Sequence, residues 1–190
     1  MKTIFSGKLF TIPNLLSFLR LLLIPWFVWT YVTKGDGQGT AAILILSGIT
    51  DILDGYIARR FDMVSNLGKA LDPVADKATQ IVMIGCLTVR FPHTIYILVV
   101  LCVKELFVMI SSLLTIRKTE EVLSADWHGK AATTALYFTM ILHLLFPNLS
   151  SFLSDLLIVC CIFLILLSGV LYGARNIQIL HAEKKYSEHE

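Results

Sequence analysis

Six long apolar segments, separated by short polar loops, constrain the fold of this chain more than any other feature. They lie at about residues 14–33, 40–60, 68–91, 93–116, 128–146 and 151–172. Each is about 20 residues long, the length with which an α-helix crosses the hydrocarbon core of a bilayer. Because 56% of the residues are hydrophobic and the mean hydropathy is +0.74, the chain is too apolar for a soluble domain of this size. The sequence therefore predicts an all-α integral membrane protein with six transmembrane helices, organised as a single domain over residues 1–190.

The two ends of the chain are predicted to lie outside the hydrocarbon region. Residues 3–11 are too short to span a bilayer, and their large apolar side chains lie beside Lys8, which is typical of a short interfacial segment. Residues 181–190 are polar and are predicted to form a C-terminal tail. The first apolar segment continues without a small-residue cleavage site, so we expect a retained helix rather than a cleaved signal peptide.

The distribution of basic residues predicts the orientation of the helices. Six spans place both termini on one side of the membrane, and most lysines and arginines belong to that side. The loops on the other side hold only Lys34 and Arg90. Since basic loops remain in the cytoplasm, the termini and the segment at residues 117–126 are predicted to be cytoplasmic in a multi-pass protein of a bacterial plasma membrane.

Four carboxylates stand in the second and third apolar segments: Asp51, Asp54, Asp72 and Asp76. Residues three or four apart share one face of a helix, so each pair is predicted to line one face. Two helices joined by a short loop pack antiparallel, which would bring the two acidic faces together. Four like charges in an apolar setting repel one another unless a divalent cation gathers them, and ligation by oxygen alone favours Mg²⁺ or Mn²⁺. The alternative without a metal is pairing with nearby cations: Arg59, Lys69 and Lys77.

The spacing of these carboxylates is part of a longer pattern. Residues 51–76 match D-x2-D-G-x2-A-R-x8-G-x3-D-x3-D at all eight fixed positions. This pattern is similar to the signature of the CDP-alcohol phosphatidyltransferases, and the chain resembles members of that family. The resemblance implies a membrane enzyme that transfers a phosphatidyl group from a CDP-linked lipid to an alcohol and releases CMP.

The same resemblance implies roles for individual residues. The expected ligands of two divalent ions, Mg²⁺ or Mn²⁺, are four carboxylates: Asp51, Asp54, Asp72 and Asp76. Asp76 is alternatively the base toward the acceptor hydroxyl, and Asp72 and Asp76 are the expected catalytic residues. Six positions resemble the nucleotide contacts of the family: Asp51, Asp54, Gly55, Ala58, Arg59 and Gly68. The small residues among them would let the cytidine and the phosphates approach the helix backbones, and Arg59 would contact phosphate or brace the acidic cluster.

Features outside the signature bear on the acceptor alcohol. Residues 71–77, together with residues 12–14 and 129–130, resemble the phosphatidylglycerophosphate synthase and bacterial-type cardiolipin synthase branch of the family. Within this branch we favour glycerol 3-phosphate as the acceptor from CDP-diacylglycerol. Three cations on the fourth and fifth helices can hold its phosphate: Lys104, Arg117 and Lys130. Lys104 is followed by Glu105, and because adjacent helix residues face different directions we expect no ion pair between them.

Two alternatives stay open at this stage. With phosphatidylglycerol as the acceptor, the chain would be a cardiolipin synthase. The non-enzymatic alternative is an ion-coupled transporter, which predicts acids distributed across the membrane rather than clustered at the ends of two helices. The net charge of +2 does not indicate nucleic acid as a partner. The expected partners are the two substrates, membrane lipids and, as the resemblance admits, a second copy of the chain.

Overall fold

The computed structural model describes the backbone of residues 12–60, 66–119 and 126–187. Within these ranges, it describes no side chain at residues 12–14, 54–55, 58–59, 66–72, 116–119 and 180–187. The predicted interfacial segment at residues 3–11 therefore lies outside the described residues.

Every secondary-structure element in the described ranges is helical, which confirms the all-α prediction. Helix α1 covers Ile12–Val28 and continues as a π-helical segment at Trp29–Thr33. The other helices are α2 at Gly37–Arg60, α3 at Asn66–Leu87, α4 at Thr94–Thr119, α5 at Trp127–Leu145 and α6 at Ser151–Ser187. Each helix corresponds to one of the six predicted apolar segments.

Two helix ends differ from the prediction. Helix α6 is 37 residues long and continues to Ser187, well beyond the predicted end at residue 172. Residues 173–187 contain no proline and several good helix formers, so the backbone stays helical after the apolar part ends, and the predicted polar tail begins as helix. Helix α3 ends at Leu87, before the predicted end at residue 91. The turn that follows contains Pro92, which cannot continue a helix.

Three described stretches are long and apolar enough to cross a membrane: Leu15–Thr33, Thr94–Thr115 and Ser151–Ile179. The apolar part of α2 is the shorter Gly37–Leu53, because the end of that helix carries the polar signature residues. The arrangement with six spans therefore stays a prediction. Large apolar side chains are exposed along these helices, among them Leu22, Val103 and Phe163. Such extended apolar surface is expected of a membrane protein whose helices contact lipid.

Contacts between the helices divide the chain into two compact units, each described by itself. The first unit contains α1, α2, α3 and residues 141–148, which include the end of α5. The second unit contains α4, the rest of α5 and α6. The organisation as a single domain over residues 1–190 stays a prediction.

In the first unit, α1 packs against both α2 and α3. Phe27 of α1, Leu44 of α2 and Ile84 of α3 are almost completely buried in the core of this unit. Between helices that lie in lipid, such side chains stabilise the unit through van der Waals packing. Helix α1 therefore holds the two helices that carry the signature in one bundle.

The turn between α1 and α2 is defined by Gly35 and Asp36. Gly35 has a φ of 65°, in the left-handed region that glycine adopts without steric cost. Asp36 then caps α2, because its Oδ1 accepts a hydrogen bond from the backbone N–H of Gly39 at 2.8 Å. The start of α2 is thus specified locally, and Gln38 in its first turn is exposed.

In the second unit, α4 packs along α6, and two glycines of α6 make room for large side chains of α4. A Cβ atom at Gly169 would lie 3.2 Å from Cγ of Lys104. A Cβ atom at Gly173 would lie 2.9 Å from the Phe107 ring. Because neither glycine carries a side chain, the lysine stem and the phenyl ring approach the α6 backbone closely.

Candidate active site

The two halves of the signature lie on consecutive helices of the first unit, as predicted. Asp51 is in α2 and Asp76 is in α3. The backbone of the other signature residues is also helical, in α2 or α3: Asp54, Gly55, Ala58, Arg59, Gly68 and Asp72. Their side chains lie outside the described residues, so their contacts with a metal or a nucleotide stay predictions.

Asp51 pairs with an arginine from a different helix. Nη1 of Arg20, in α1, lies 2.6 Å from Oδ1 of Asp51, the distance of a short charge-assisted contact. The Arg20 side chain is 1% exposed, whereas the Asp51 side chain is 49% exposed. The pair therefore joins a fully buried cation to a carboxylate that is half exposed. No role for Arg20 was predicted from the sequence, although an arginine in the middle of an apolar segment indicates one.

The surroundings of Arg20 are mostly apolar. A cavity of about 10 Å³ beside it is lined by residues of α1, α2 and α3. Apolar side chains such as Leu23 and Met83 form most of the lining, and Ser47 and Thr79 add hydroxyl groups. Electrostatic attraction is stronger in such a medium than in water, so the negative charge of Asp51 offsets part of the cost of burying Arg20.

Asp76 is contacted by two residues of its own helix. Nε2 of Gln80 donates a hydrogen bond to Oδ2 of Asp76 at 2.8 Å. Nζ of Lys77 lies 3.9 Å from the same oxygen, at the outer limit of an ion pair. Gln80 is buried and stands one helical turn after Asp76. The spacing of four residues places Gln80 on the same helix face as Asp76, although this contact was not predicted from the sequence.

The two described carboxylates have the chemistry of ligands for a hard divalent cation. One oxygen of each contacts a side-chain donor, which restricts the orientation of the group as the outer contacts of metal ligands do. Among the described side chains, no three His, Cys, Asp or Glu residues form a cluster that could hold a metal. The predicted set also needs Asp54 and Asp72, which lie outside that part of the chain. Oxygen ligands of this kind fit Mg²⁺ or Mn²⁺, and the four-carboxylate site stays a prediction.

Lys104, a predicted acceptor-binding residue, has a partner within its own helix. Its Nζ donates to Oε1 of Glu105 at 2.8 Å, so the expectation that these neighbours form no ion pair is wrong. The reason is that long flexible side chains can reach well away from the directions of their Cβ atoms. Nζ also lies 5.7 Å from the centroid of the Tyr172 ring. An acceptor phosphate at Lys104 would therefore compete with Glu105.

Of the other two predicted acceptor-binding residues, Lys130 has a described side chain and Arg117 does not. Lys130 is exposed in the first turn of α5. Arg117 is in the last turn of α4, and its side chain lies outside the described residues. An apolar groove of about 530 Å³ between α4 and α6 flanks Lys104 and is lined by Val103 and Val170 among others. Of the three cations, Lys130 is thus the one described with its side chain open to solvent.

A polar network in the second unit connects the start of α5 to α6. Nη1 of Arg175 donates to Oδ2 of Asp126 at 2.6 Å, and Nε2 of His128 lies 3.3 Å from the same oxygen. The backbone N–H of Asp126 donates to the hydroxyl of Tyr172 at 3.1 Å. This network was not predicted from the sequence, because helical spacing does not relate residues as distant as Asp126 and Arg175, which are 49 positions apart. Its contacts serve the packing of α5 against α6.

Comparisons with known proteins agree with the signature. Residues 10–173 match the CDP-alcohol phosphatidyltransferase family. A CDP-diacylglycerol–glycerol-3-phosphate 3-phosphatidyltransferase of Bacillus subtilis is 30% identical over 190 residues, which cover 90% of this chain and 98% of that protein. A cardiolipin synthase (CMP-forming) of Streptomyces coelicolor is 33% identical over 146 residues, covering 74% of this chain and 67% of that protein.

A third relative is much longer than this chain. It is a cardiolipin synthase (CMP-forming) / mitochondrial hydrolase fusion protein of Schizosaccharomyces pombe, 43% identical over 83 residues. The match covers 44% of this chain and 14% of the fusion protein. The family match spans most of the sequence, includes the whole signature at residues 51–76, and confirms the predicted resemblance. This chain therefore belongs to the CDP-alcohol phosphatidyltransferase family of membrane enzymes.

Proposed function

We propose that this chain transfers a phosphatidyl group from CDP-diacylglycerol to glycerol 3-phosphate, in a metal-dependent reaction that releases CMP and forms phosphatidylglycerophosphate. The observation that carries the proposal is the similarity to the Bacillus subtilis protein named for that reaction, which extends over 90% of this chain and 98% of the relative. The complete signature at residues 51–76 supports the same chemistry.

The carboxylates of the signature hold the divalent cations in this proposal: Asp51, Asp54, Asp72 and Asp76. Mg²⁺ or Mn²⁺ bound there would neutralise charge on the pyrophosphate and on the departing CMP. Arg20 contacts one oxygen of Asp51 at 2.6 Å, which restricts the rotation of that carboxylate. Because Asp51 is half exposed, its carboxylate is accessible to a substrate that approaches from solvent.

Asp76 accepts the proton of the acceptor hydroxyl. The hydrogen bond from Gln80 to Oδ2 holds the plane of this carboxylate. Asp76 acts through its position against the hydroxyl, because general-base catalysis requires the base within hydrogen-bond reach of the proton that it takes. Asp72 lies one turn earlier on α3 and is the second catalytic carboxylate in this proposal.

The nucleotide binds along the small residues of the signature: Gly55, Ala58 and Gly68. Their lack of bulk lets the cytidine and the phosphates approach the helix backbones. Arg59 contacts a phosphate, for which a guanidinium is suited by its fork of donors. The acceptor phosphate binds Lys130 and Arg117, and Lys104 contributes only where the phosphate displaces Glu105.

The site faces the cytoplasm of a bacterial cell in this proposal, because the basic residues favour cytoplasmic termini. A matched pair of cysteine variants tests this orientation. Gln38→Cys, in the exposed first turn of α2, is expected to react with a membrane-impermeant thiol reagent added outside intact cells. Gln178→Cys, exposed near the end of α6, is expected to react only after the cells are opened. Measuring labelling of each purified variant gives the result.

The parent chain, with its four native cysteines, is the background for this labelling. Labelling of Gln38→Cys only after the cells are opened would overturn this orientation.

Cardiolipin synthase is the second candidate, because the Streptomyces coelicolor relative of that name matches 74% of this chain. Purified protein should be incubated with CDP-diacylglycerol and either glycerol 3-phosphate or phosphatidylglycerol, and CMP and the lipid product measured. We expect CMP and phosphatidylglycerophosphate when the acceptor is glycerol 3-phosphate, and no reaction when it is phosphatidylglycerol. Cardiolipin from phosphatidylglycerol, with no reaction of glycerol 3-phosphate, would establish the second candidate. An ion-coupled transporter would release no CMP with either acceptor.

A further inference from the structure

Arg20 lies in α1, outside the signature, yet it contacts the first signature carboxylate. Its Nη1 is 2.6 Å from Oδ1 of Asp51, the distance of a close ion pair. Arg20 and Asp51 are 31 positions apart in the sequence, so no helical spacing brings them together. The packing of α1 against α2 does.

Arg20 is buried, so its charge needs a counter-charge close by. Its side chain is 1% exposed, and a buried guanidinium is costly unless a counter-charge lies close by. The adjoining cavity is lined largely by apolar side chains, among them Leu23, Phe27 and Met83. Such surroundings strengthen the attraction between the two charges. The negative charge of Asp51 therefore compensates the positive charge of Arg20 in the folded bundle.

The contact also restricts the Asp51 carboxylate. An aspartate at a half-exposed helix position can rotate about χ1 and χ2, which spreads its oxygens over several orientations. A guanidinium fixed by burial holds its positive charge in one place, and the attraction favours the orientation that brings Oδ1 next to it. When Oδ1 is held next to Arg20, the position of Oδ2 is restricted as well, because both oxygens belong to one planar carboxylate. This is how an outer contact orients a metal ligand.

Arg20 lies close to both helices that carry the signature. Its cavity is lined by Ser47 of α2 and by Thr79 of α3 as well as by residues of α1. Thr79 is one turn after Ala75 and donates to the Ala75 carbonyl, next to Asp76 in the chain. Arg20 thus occupies the place where α1 meets the two helices that must align for the site to form.

We propose that Arg20 is a positioning residue for Asp51, which holds this carboxylate in the orientation that a divalent cation requires; the proposal rests on the metal-dependent function given above. Arg20 touches neither substrate nor metal in this role. It acts through the carboxylate that it contacts at 2.6 Å. Loss of Arg20 should therefore weaken metal binding more than it weakens the fold.

Three variants of the chain test the proposal. Arg20→Met removes the guanidinium and keeps an apolar side chain of similar length. Arg20→Lys keeps the charge but lacks the fork. Thr30→Val is the matched control, because Thr30 is also a buried polar residue after α1 but its hydroxyl donates to the Trp26 carbonyl, not to the signature. The probe is Mn²⁺, whose binding to purified protein is followed by electron paramagnetic resonance without any substrate.

The expected result is a graded loss of Mn²⁺ affinity. Arg20→Met should weaken binding by about 10- to 100-fold, the usual effect of removing an outer contact of a metal ligand. The Mn²⁺ concentration that gives half-maximal CMP release should rise in parallel. Arg20→Lys should restore part of the affinity, and Thr30→Val should bind Mn²⁺ like the parent chain. Affinity of Arg20→Met equal to that of the parent would overturn the proposal, and if this variant does not fold, the same comparison with Arg20→Lys decides.

A second measurement separates this proposal from the proposed function. Full activity of the parent chain in excess chelator would refute metal dependence, whatever Arg20 does. Thermal unfolding without metal then decides whether Arg20 and Asp51 form a pair, through a double-mutant cycle of Arg20→Met, Asp51→Asn and the double variant. The pair is supported if the effects of the two substitutions on thermal stability are not additive and the double variant is more stable than Asp51→Asn. Independent, additive changes would overturn it.

Discussion

Asp51→Asn is expected to slow CMP release by at least about 100-fold, the effect of removing one group that stabilises charge in a transition state. Asparagine keeps the shape of the side chain but offers no negative charge to a divalent cation. The measurement is CMP release from CDP-diacylglycerol and glycerol 3-phosphate at saturating Mg²⁺, compared with the parent chain. The parent chain in excess chelator should lose at least as much activity, because the chelator removes every divalent cation whereas the substitution removes one ligand.

The ion pair with Arg20 adds a second expected effect of Asp51→Asn. The buried guanidinium would lose the charge that compensates it, which should destabilise the protein by about 3 kcal/mol. This value is at the lower end for a broken buried ion pair, because Asp51 is half exposed. Adding Arg20→Met to Asp51→Asn should restore thermal stability while CMP release stays slow. That combination separates lost catalysis from lost folding.

Asp155→Asn is the matched control for this experiment. Asp155 is an aspartate of α6, outside the signature, whose Oδ1 contacts Nδ1 of the exposed His93 at 2.7 Å. Its replacement should leave CMP release close to that of the parent chain. Normal activity of Asp51→Asn, or equal losses in the Asp51 and Asp155 variants, would contradict the assignment of Asp51 to the metal.

Lys130→Ala is expected to raise the KM for glycerol 3-phosphate by about 10- to 100-fold, with a much smaller change for CDP-diacylglycerol. The physical reason is the loss of a charge-assisted contact to the acceptor phosphate, which costs on the order of 1.5–3 kcal/mol. Lys130 is exposed in the first turn of α5 and open to a ligand from solvent. A loss confined to one substrate indicates a residue that contacts that substrate, so both KM values are measured by varying each substrate in turn.

Lys104→Ala is expected to behave differently from Lys130→Ala, because Lys104 already donates a hydrogen bond to Glu105 at 2.8 Å. We expect this variant to lose thermal stability, since Glu105 would keep its charge without that partner. The Lys104→Ala, Glu105→Ala double variant should recover much of it. Equal increases of both KM values in Lys130→Ala would show that Lys130 is structural and would remove the phosphate assignment.

The sequence alone determined the class of fold and the family. An apolar segment of about 20 residues has few ways to satisfy its backbone in lipid, and the helix is the one that needs no partner strand. That is why each of the six segments corresponds to a helix in the described chain. The signature could be read without a structure because its spacing reflects the helical repeat, so that Asp51 and Asp76 were assigned correctly to consecutive helices.

Tertiary structure decided which side chains contact those carboxylates. Arg20 reaches Asp51 because α1 packs against α2, and Lys104 reaches Glu105 because its flexible stem bends away from its Cβ direction. Neither contact follows from periodicity, which determines the face on which a residue begins and not where the end of a long side chain lies. The same holds for Asp126 and Arg175, which are joined by the packing of α5 and α6. Sequence spacing placed the carboxylates on their helices, and only the packing of a third helix supplied the cation that orients Asp51.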